Sequence, residues 1–293
     1  MRTLGTLCCA VFSVLMLAAT AGPPRFVVPN FPDLAIKTRR TSGDSMSQRN
    51  ALYLKGARQR TEFSVETPRA DAINWAVILQ CDQKRTLNLN ERDKLYVSLE
   101  IQDWSQRLKK ARLVPQPQPS GAEVTMTIDS VDTGERRQFV HYAARHVKVK
   151  IQVEPGPGAS TTASVEETDG WYLDIPGFGC QEQALSGFAR LTAISGNRQD
   201  RWKTMWLGKA PRGYAIEETS LTTEEGKKTI SKVELLDISE APLDSSIFEL
   251  PPGYKLALQT GDGGADLTKP DTIANRAQYY WARAGLWLRT LFR

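Results

Sequence analysis

The sequence predicts a mainly β protein built on antiparallel strands. Apolar residues recur at every second position in run after run, and turn residues separate those runs at short intervals. Before residue 260 only short stretches carry helical periodicity. Successive side chains of a strand point to opposite faces, so period-two spacing is the mark of a strand half-buried on one side.

Asp33–Ser42 opens the series with Leu34, Ile36 and Thr38 in phase. Ala51–Leu54 and Gln59–Val65 make a hairpin turning at Lys55-Gly56-Ala57. Ile73–Cys81 places Ile73, Trp75, Val77, Leu79 and Cys81 on one face, and Asp82-Gln83 turns the chain into Lys84–Leu89. Lys94–Ile101 repeats the pattern through Leu95, Val97, Leu99 and Ile101. Asp103–Ala111 reads as a short helix, and the proline-rich Val114–Gly121 as a connection. Strands resume at Val124–Val131, turn at Asp132-Thr133-Gly134 and continue at Gln138–His141. His146–Glu154 alternates Val147, Val149, Ile151 and Val153 against Lys148, Lys150, Gln152 and Glu154, so one face is buried and the other wet. Gly156–Ser160 is a flexible turn, and Thr161–Asp174 holds one long strand or a strand pair. Gln181–Thr192 has helical character; Tyr214–Thr222 and Lys228–Ile238 form a hairpin around Glu224–Gly226. A meandering sheet of roughly a dozen strands curls into a sandwich or an incomplete barrel.

The amino terminus gives an address. Met1-Arg2 is a basic start, Leu4–Ala19 an apolar run, and Ala19-Thr20-Ala21 a small-x-small cleavage site. This pattern is a cleavable secretory signal, too short in its apolar core for a membrane span. The expected organisation is a signal peptide over 1–21, a β domain over 22–260, and a glycine-rich break with a helix over 261–293. The expected location is the periplasm or the extracellular space. Cys8 and Cys9 precede most of the apolar core and do not form a lipid-attachment site.

Apolar residues make up 41% and charged residues 24% of the chain, the balance of a folded soluble protein. Removing Arg2 with the signal lowers the formal charge from +5 to +4, spread along the chain, which does not argue for nucleic acid. The mature chain keeps two cysteines, Cys81 and Cys180. In an oxidising compartment they are candidates for one disulfide, worth about 4–5 kcal/mol in the chain-entropy model. Two separate buried thiols are the alternative. Two cysteines without CxxC spacing and two histidines are too few for a metal site. No cofactor is expected.

Three segments together resemble a known family. They are Leu54-Lys55-Gly56-x-Arg58-x-Arg60-x-Glu62, then Lys94-Leu95-Tyr96, then Asp244-Ser245-Ser246-Ile247-Phe248-Glu249-Leu250-Pro251-Pro252-Gly253-Tyr254-Lys255. The set is similar to bacterial secreted proteins of the lipoprotein-localisation (LolA/LolB-like) fold, in an uncharacterised branch of that group. The resemblance spans roughly residues 33–100 and 213–256. It implies a strongly curved antiparallel sheet, an incomplete barrel with a few helices on its concave side. Family members hold acyl chains or lipoproteins in that cavity, or sense envelope lipids and unfolded envelope proteins. The resemblance brings no catalytic residue. This chain is longer than the carriers of the family and adds a helical tail.

On this reading Trp75, Val77, Leu79, Leu95, Val97, Val147, Val149 and Ile151 line a ligand cavity; the alternative is that they fill an ordinary core. Lys269-Pro270-Asp271-Thr272 starts a helix running to about Phe292. Ile273, Ala277, Tyr280, Trp281, Ala284, Trp287, Leu288 and Leu291 share one face, with Arg276, Gln278, Arg283, Arg289 and Arg293 on the other. Such a helix docks on the sheet, lies on an anionic membrane surface or contacts a partner protein.

Sequence chemistry for catalysis is sparse. His141 and His146 are five apart on strand-like sequence, so they point to opposite sides. No GxSxG, Walker, HExxH or GxGxxG motif is present. The expectation is a non-enzymatic protein that binds an apolar ligand, such as a lipid or a lipoprotein acyl chain, in a curved-sheet cavity. The first alternative is an envelope regulatory or stress-sensing module that binds another protein. The second is an enzyme of unrecognised type, marked by perturbed polar groups around His141, His146 or Cys180 in a cleft. The sequence does not set the oligomeric state.

Overall fold

The computed structural model describes residues 28–43, 46–67, 70–101, 121–175, 180, 200–208, 213–259 and 265–281. Within them the chain forms strands β1 (Phe31–Ser42), β2 (Met46–Gly56), β3 (Arg58–Thr67), β4 (Ala70–Gln80), β5 (Arg85–Asn90), β6 (Leu95–Glu100) and β7 (Glu123–Phe139). Next come β8 (Tyr142–Pro155), β9 (Ser164–Leu173), β10 (Arg201–Gly208), β11 (Tyr214–Glu224), β12 (Lys227–Ser239), β13 (Lys255–Gln259) and β14 (Ala265–Pro270). A helix follows over 273–281.

All fourteen strands join one open sheet in the order β10-β7-β8-β9-β11-β12-β1-β2-β3-β4-β5-β6-β13-β14. The eleven strands from β7 to β6 pair antiparallel throughout. β10 on β7 and β13 on β6 pair parallel and extend the two ends. The ends β10 and β14 do not pair with each other, so the sheet stays unclosed. The expected mainly β fold with an open sheet is therefore what forms. Hairpin turns explain most of the meander. Gly56 takes φ +54 between β2 and β3, and Gly226 takes φ +79 between β11 and β12, a region that costs other residues energy.

Several elements differ from the sequence expectation. Val124–Val131 and Gln138–His141 are not two strands around a turn. They are the single strand β7, whose register against β8 slips between Asp132↔Val147 and Arg136↔Arg145. The Asp132 carboxylate accepts from the Gly134 amide (2.9 Å), so the turn chemistry makes a bulge and the strand then resumes. Thr161–Asp174 contains one strand, β9. Residues 265–270, expected in the break and helix start, form β14 on β13, and the described helix begins at 273. Pro270 has no N–H to donate and suits this edge position. β10 carries no strand signal in the sequence, because Arg-Trp-Lys-Thr-Met-Trp-Leu-Gly has no clean alternation. The signal segment, the helices expected at Asp103–Ala111 and Gln181–Thr192, and nearly all of the proline-rich connection lie outside the described residues.

Opposed residues of a ladder share a face, so the registers trace faces across the whole sheet. One row runs Val97, Asn88, Val77, Thr61, Leu52, Ile36 and Ile238. Another runs Gln48, Arg40, Val233, Glu218, Gly170 and Val147. These rows define an inner face. Its buried members Leu34, Ile36, Leu52 and Leu54 pack with Ile216, Leu173 and Ala144, while Val147, Val149 and Ile151 pack with Met126, Ile128 and Tyr172. Over β8, β9 and β12 the opposite face is wet and paired: Lys150 with Glu167 (3.4 Å), Lys148 with Asp169 (3.4 Å), Arg39 with Glu234 (2.7 Å).

Between β12 and β13 the chain crosses the outer face of β2–β6 as a strap. Asp244 caps a short 3-10 turn, Ser245–Phe248, and Phe248 is buried among Ala76, Ile78, Leu87 and Leu89. Cys81, at the end of β4, is bonded to Cys180 with the Cα atoms 5.6 Å apart; both residues are buried.

Candidate ligand-binding face

The registers place all eight residues expected to line a cavity on the inner face. Trp75, Val77 and Leu79 come from β4, Leu95 and Val97 from β6, and Val147, Val149 and Ile151 from β8. They do not form one uniform wall. Val147, Val149 and Ile151 are buried against Tyr172, Met126 and Ile128, which is filled packing. Leu95 and Val97 are buried too. Trp75, Val77 and Leu79 are half-buried, as are their β3 neighbours Phe63 and Thr61. Partly accessible apolar surface on this face includes this patch on β3 and β4, and the ladder carries it on to Leu99 of β6.

Between the β8 and β4 flanks the inner face carries a buried polar network. Tyr172 Oη donates to Glu218 Oε2 (2.5 Å), and Arg40 Nη2 donates to Glu218 Oε1 (3.2 Å). The Ser220 hydroxyl reaches the same carboxylate (3.4 Å) and also meets Thr168 Oγ1 (2.9 Å). Gly170 makes room for it. A Cβ there would lie 3.0 Å from Tyr172 Oη and 2.8 Å from the Glu217 carbonyl. A buried carboxylate with paired donors is far less costly than a lone one. The sequence expectation does not include this network, although the sequence carries a signal for it. Glu218 falls in phase with Ile216 and Ser220 on the buried side of β11.

The three segments behind the family resemblance meet on the outer face. Lys55 Nζ donates to the Leu243 carbonyl (2.6 Å) and pairs with Asp33 (2.9 Å). Arg60 donates to the Ile247 carbonyl (3.1 Å) and holds Glu62 (2.7 Å) and Glu91 (2.6 Å). Arg58 approaches Glu249 (3.6 Å), and Gln80 Nε2 donates to the Phe248 carbonyl (2.9 Å). Lys94 sits over the Tyr254 ring (5.2 Å), and the Lys255 amide donates to the Lys94 carbonyl (2.9 Å). These residues pin the strap and face away from the inner face. The Leu243 amide and then Lys55 hold the Asp33 carboxyl below its ordinary value. Burial, reinforced by Glu62, raises the Tyr53 phenol beside this cluster.

The histidines have separate partners. His141 lies in the β7–β8 turn, its Nδ1 2.5 Å from Glu240. His146 stacks on Trp171 (4.9 Å between centroids) with Nε2 2.6 Å from Asp169 and Nδ1 3.1 Å from Thr133 Oγ1. Arg137 covers the Trp171 ring (4.3 Å) and reaches Glu217 (2.6 Å). Burial works to raise the Asp169 carboxyl, but hydrogen bonds from His146 and Lys148 outweigh it and hold it low. Cys180 is in the disulfide, where it has no thiol to act as a nucleophile. Among the described residues no cluster of three His, Cys, Asp or Glu side chains is placed to hold a metal ion.

On the tail, Tyr280 and Trp281 lie in the described helix and are exposed. Arg283, Trp287, Leu288, Arg289 and Leu291 lie outside the described residues. No protein-family model matches the chain, and no curated protein matches its sequence.

Proposed function

We propose that this chain is a non-enzymatic, periplasmic or secreted protein that binds an apolar ligand, a lipid or a lipoprotein acyl chain, on the inner face of its sheet. The carrying observation is the patch of half-buried apolar side chains on β3 and β4: Phe63, Trp75, Val77 and Leu79. A chain laid along it gains about 0.8 kcal/mol per methylene removed from water. The Glu218 network gives the same face a polar region, suited to the head end of an amphipathic ligand. The signal-like amino terminus supports the address. The Cys81–Cys180 disulfide supports it separately, because such bonds persist in oxidising compartments.

The test is native mass spectrometry of mature protein purified from its own envelope, with lipid extraction of the same sample. A lipid or acylated peptide near one per chain is expected, with loss of that mass in Trp75→Asp and Val77→Asp. Protein that is ligand-free yet carries a stoichiometric protein partner overturns this reading. The regulatory reading would then hold, and one observation favours it: β10 is an edge strand whose Met205, Trp206 and Leu207 are all exposed.

A further inference from the structure

We propose that His146 is a proton-operated latch. Its charged imidazole ties the bulge of β7 to β9 through Glu135 and Asp169, and its neutral form releases Glu135. The latch lies on the wet face of the sheet and does not depend on a ligand.

The register sets His146 alone opposite three residues. Asp132 pairs with Val147 and Arg136 with Arg145, so Thr133, Gly134 and Glu135 together oppose His146. The ring is held flat on Trp171, 4.9 Å between centroids and 14° between planes. Nε2 lies 2.6 Å from Asp169 Oδ1. Nδ1 faces two oxygens at 3.1 Å, Glu135 Oε2 and Thr133 Oγ1. A carboxylate only accepts, whereas a hydroxyl accepts or donates. A neutral ring with its proton on Nε2 serves Asp169, and its bare Nδ1 accepts from the Thr133 hydroxyl. Glu135 is then an acceptor facing an acceptor. Protonation puts a hydrogen on Nδ1, which donates to Glu135. The Thr133 hydroxyl turns to the His146 carbonyl, 3.3 Å away. Thr133 Oγ1 accepts from the Glu135 amide (3.2 Å) in both states, so the swap pulls directly on the bulge backbone.

The surrounding charges isolate the pair. Lys148 of β8 shares Asp169 (3.4 Å). Arg136 is held by Asp132, Arg145 by Asp132 and Asp174, and Arg137 over Trp171 by Glu217 of β11. Arg136 and then the Gly134 amide lower the Asp132 carboxyl to about 2, so the Gly134 anchor of the bulge stays charged where histidines titrate. The latch contributes where the imidazole is protonated and Glu135 ionised, and its contribution is lost as pH rises through the histidine range.

The experiment is NMR of the mature full chain at about pH 5 and about pH 8. The ring nitrogen shifts are expected to show the Nε2–H tautomer at the higher pH and two N–H groups at the lower. Hydrogen exchange at the position 135 amide, corrected for the chemical rate, is expected to be about two- to fivefold slower at the lower pH, the range of an exposed ion pair. The Gly134 amide is the internal reference. Glu135→Ala is expected to abolish this difference, with an unchanged amide spectrum over β1–β6 showing that the variant folds. His141→Gln is expected to leave it intact. An Nδ1–H tautomer at the higher pH overturns the proposal, since Glu135 would then keep its donor. So does equal protection at the two pH values, a difference that survives Glu135→Ala, or one that His141→Gln removes.

Discussion

Tyr172, Glu218 and Gly170 show how closely single residues are set on the inner face. The Tyr172 hydroxyl supplies one of the donors that keep Glu218 paired while buried. Tyr172→Phe removes it and is expected to cost about 1.5–3 kcal/mol, the range for a hydrogen bond to a charged group, read by urea unfolding. Gly170→Ala is expected to cost more than Tyr172→Phe in the same assay. Its Cβ meets both the tyrosine hydroxyl and the rigid Glu217 carbonyl. Asp132 carries a pH signature. Arg136 first, then the Gly134 amide, lower its carboxyl from an ordinary 3.8 to about 2. A carboxyl depressed by folding stabilises fully above its unfolded value, and that contribution disappears as pH falls through about 2. Carbon-detected NMR titration is expected to place the Asp132 midpoint there, and Asp132→Asn to flatten that part of the acid unfolding curve.

The strap is the element on which the β2–β6 half of the sheet depends. It has one large buried side chain, Phe248, and its backbone carbonyls are held by Lys55, Arg60 and Gln80. Phe248→Ala is expected to destabilise by about 3–5 kcal/mol through lost burial and the cavity left behind, measured by chemical unfolding. The disulfide acts on the same half. It links the end of β4 to a residue 99 positions later. Reduction, or Cys81→Ser with Cys180→Ser, is expected to remove about 4–5 kcal/mol in the chain-entropy model, seen as a lower midpoint in thermal or urea unfolding. The strap motif was visible in the sequence as a short string with a conspicuous Pro-Pro-Gly, but its task was not. A string shows which residues are close in the chain, and the strap works through carbonyls that meet side chains roughly 190 residues earlier.

At the scale of the whole molecule, folding lowers the carboxyls of Asp33, Asp132, Asp169, Asp200, Asp244, Asp266 and Asp271 together. Each such group favours the fold above the usual aspartate range and stops doing so when protonated. The protein is therefore expected to hold its stability from neutral pH down to about 4 and to lose it steeply below, followed by circular dichroism. The period-two pattern by itself determined most strands of the antiparallel run from β7 to β6, most of its hairpins and the phase of those strands. That is why Trp75, Val77 and Leu79 fall on the same face as Leu95, Val97, Val147, Val149 and Ile151. Phase is local, because backbone geometry alternates side chains whatever lies nearby. Only the tertiary structure decided which buried phase is packed solid and which stays half-open, since that depends on what long-range neighbours fill. It alone turned the Asp132–Gly134 turn into a bulge, added β10, β13 and β14 at the sheet ends, and laid the strap across β2–β6. Those outcomes rest on pairings between residues far apart in the chain, which no local pattern encodes.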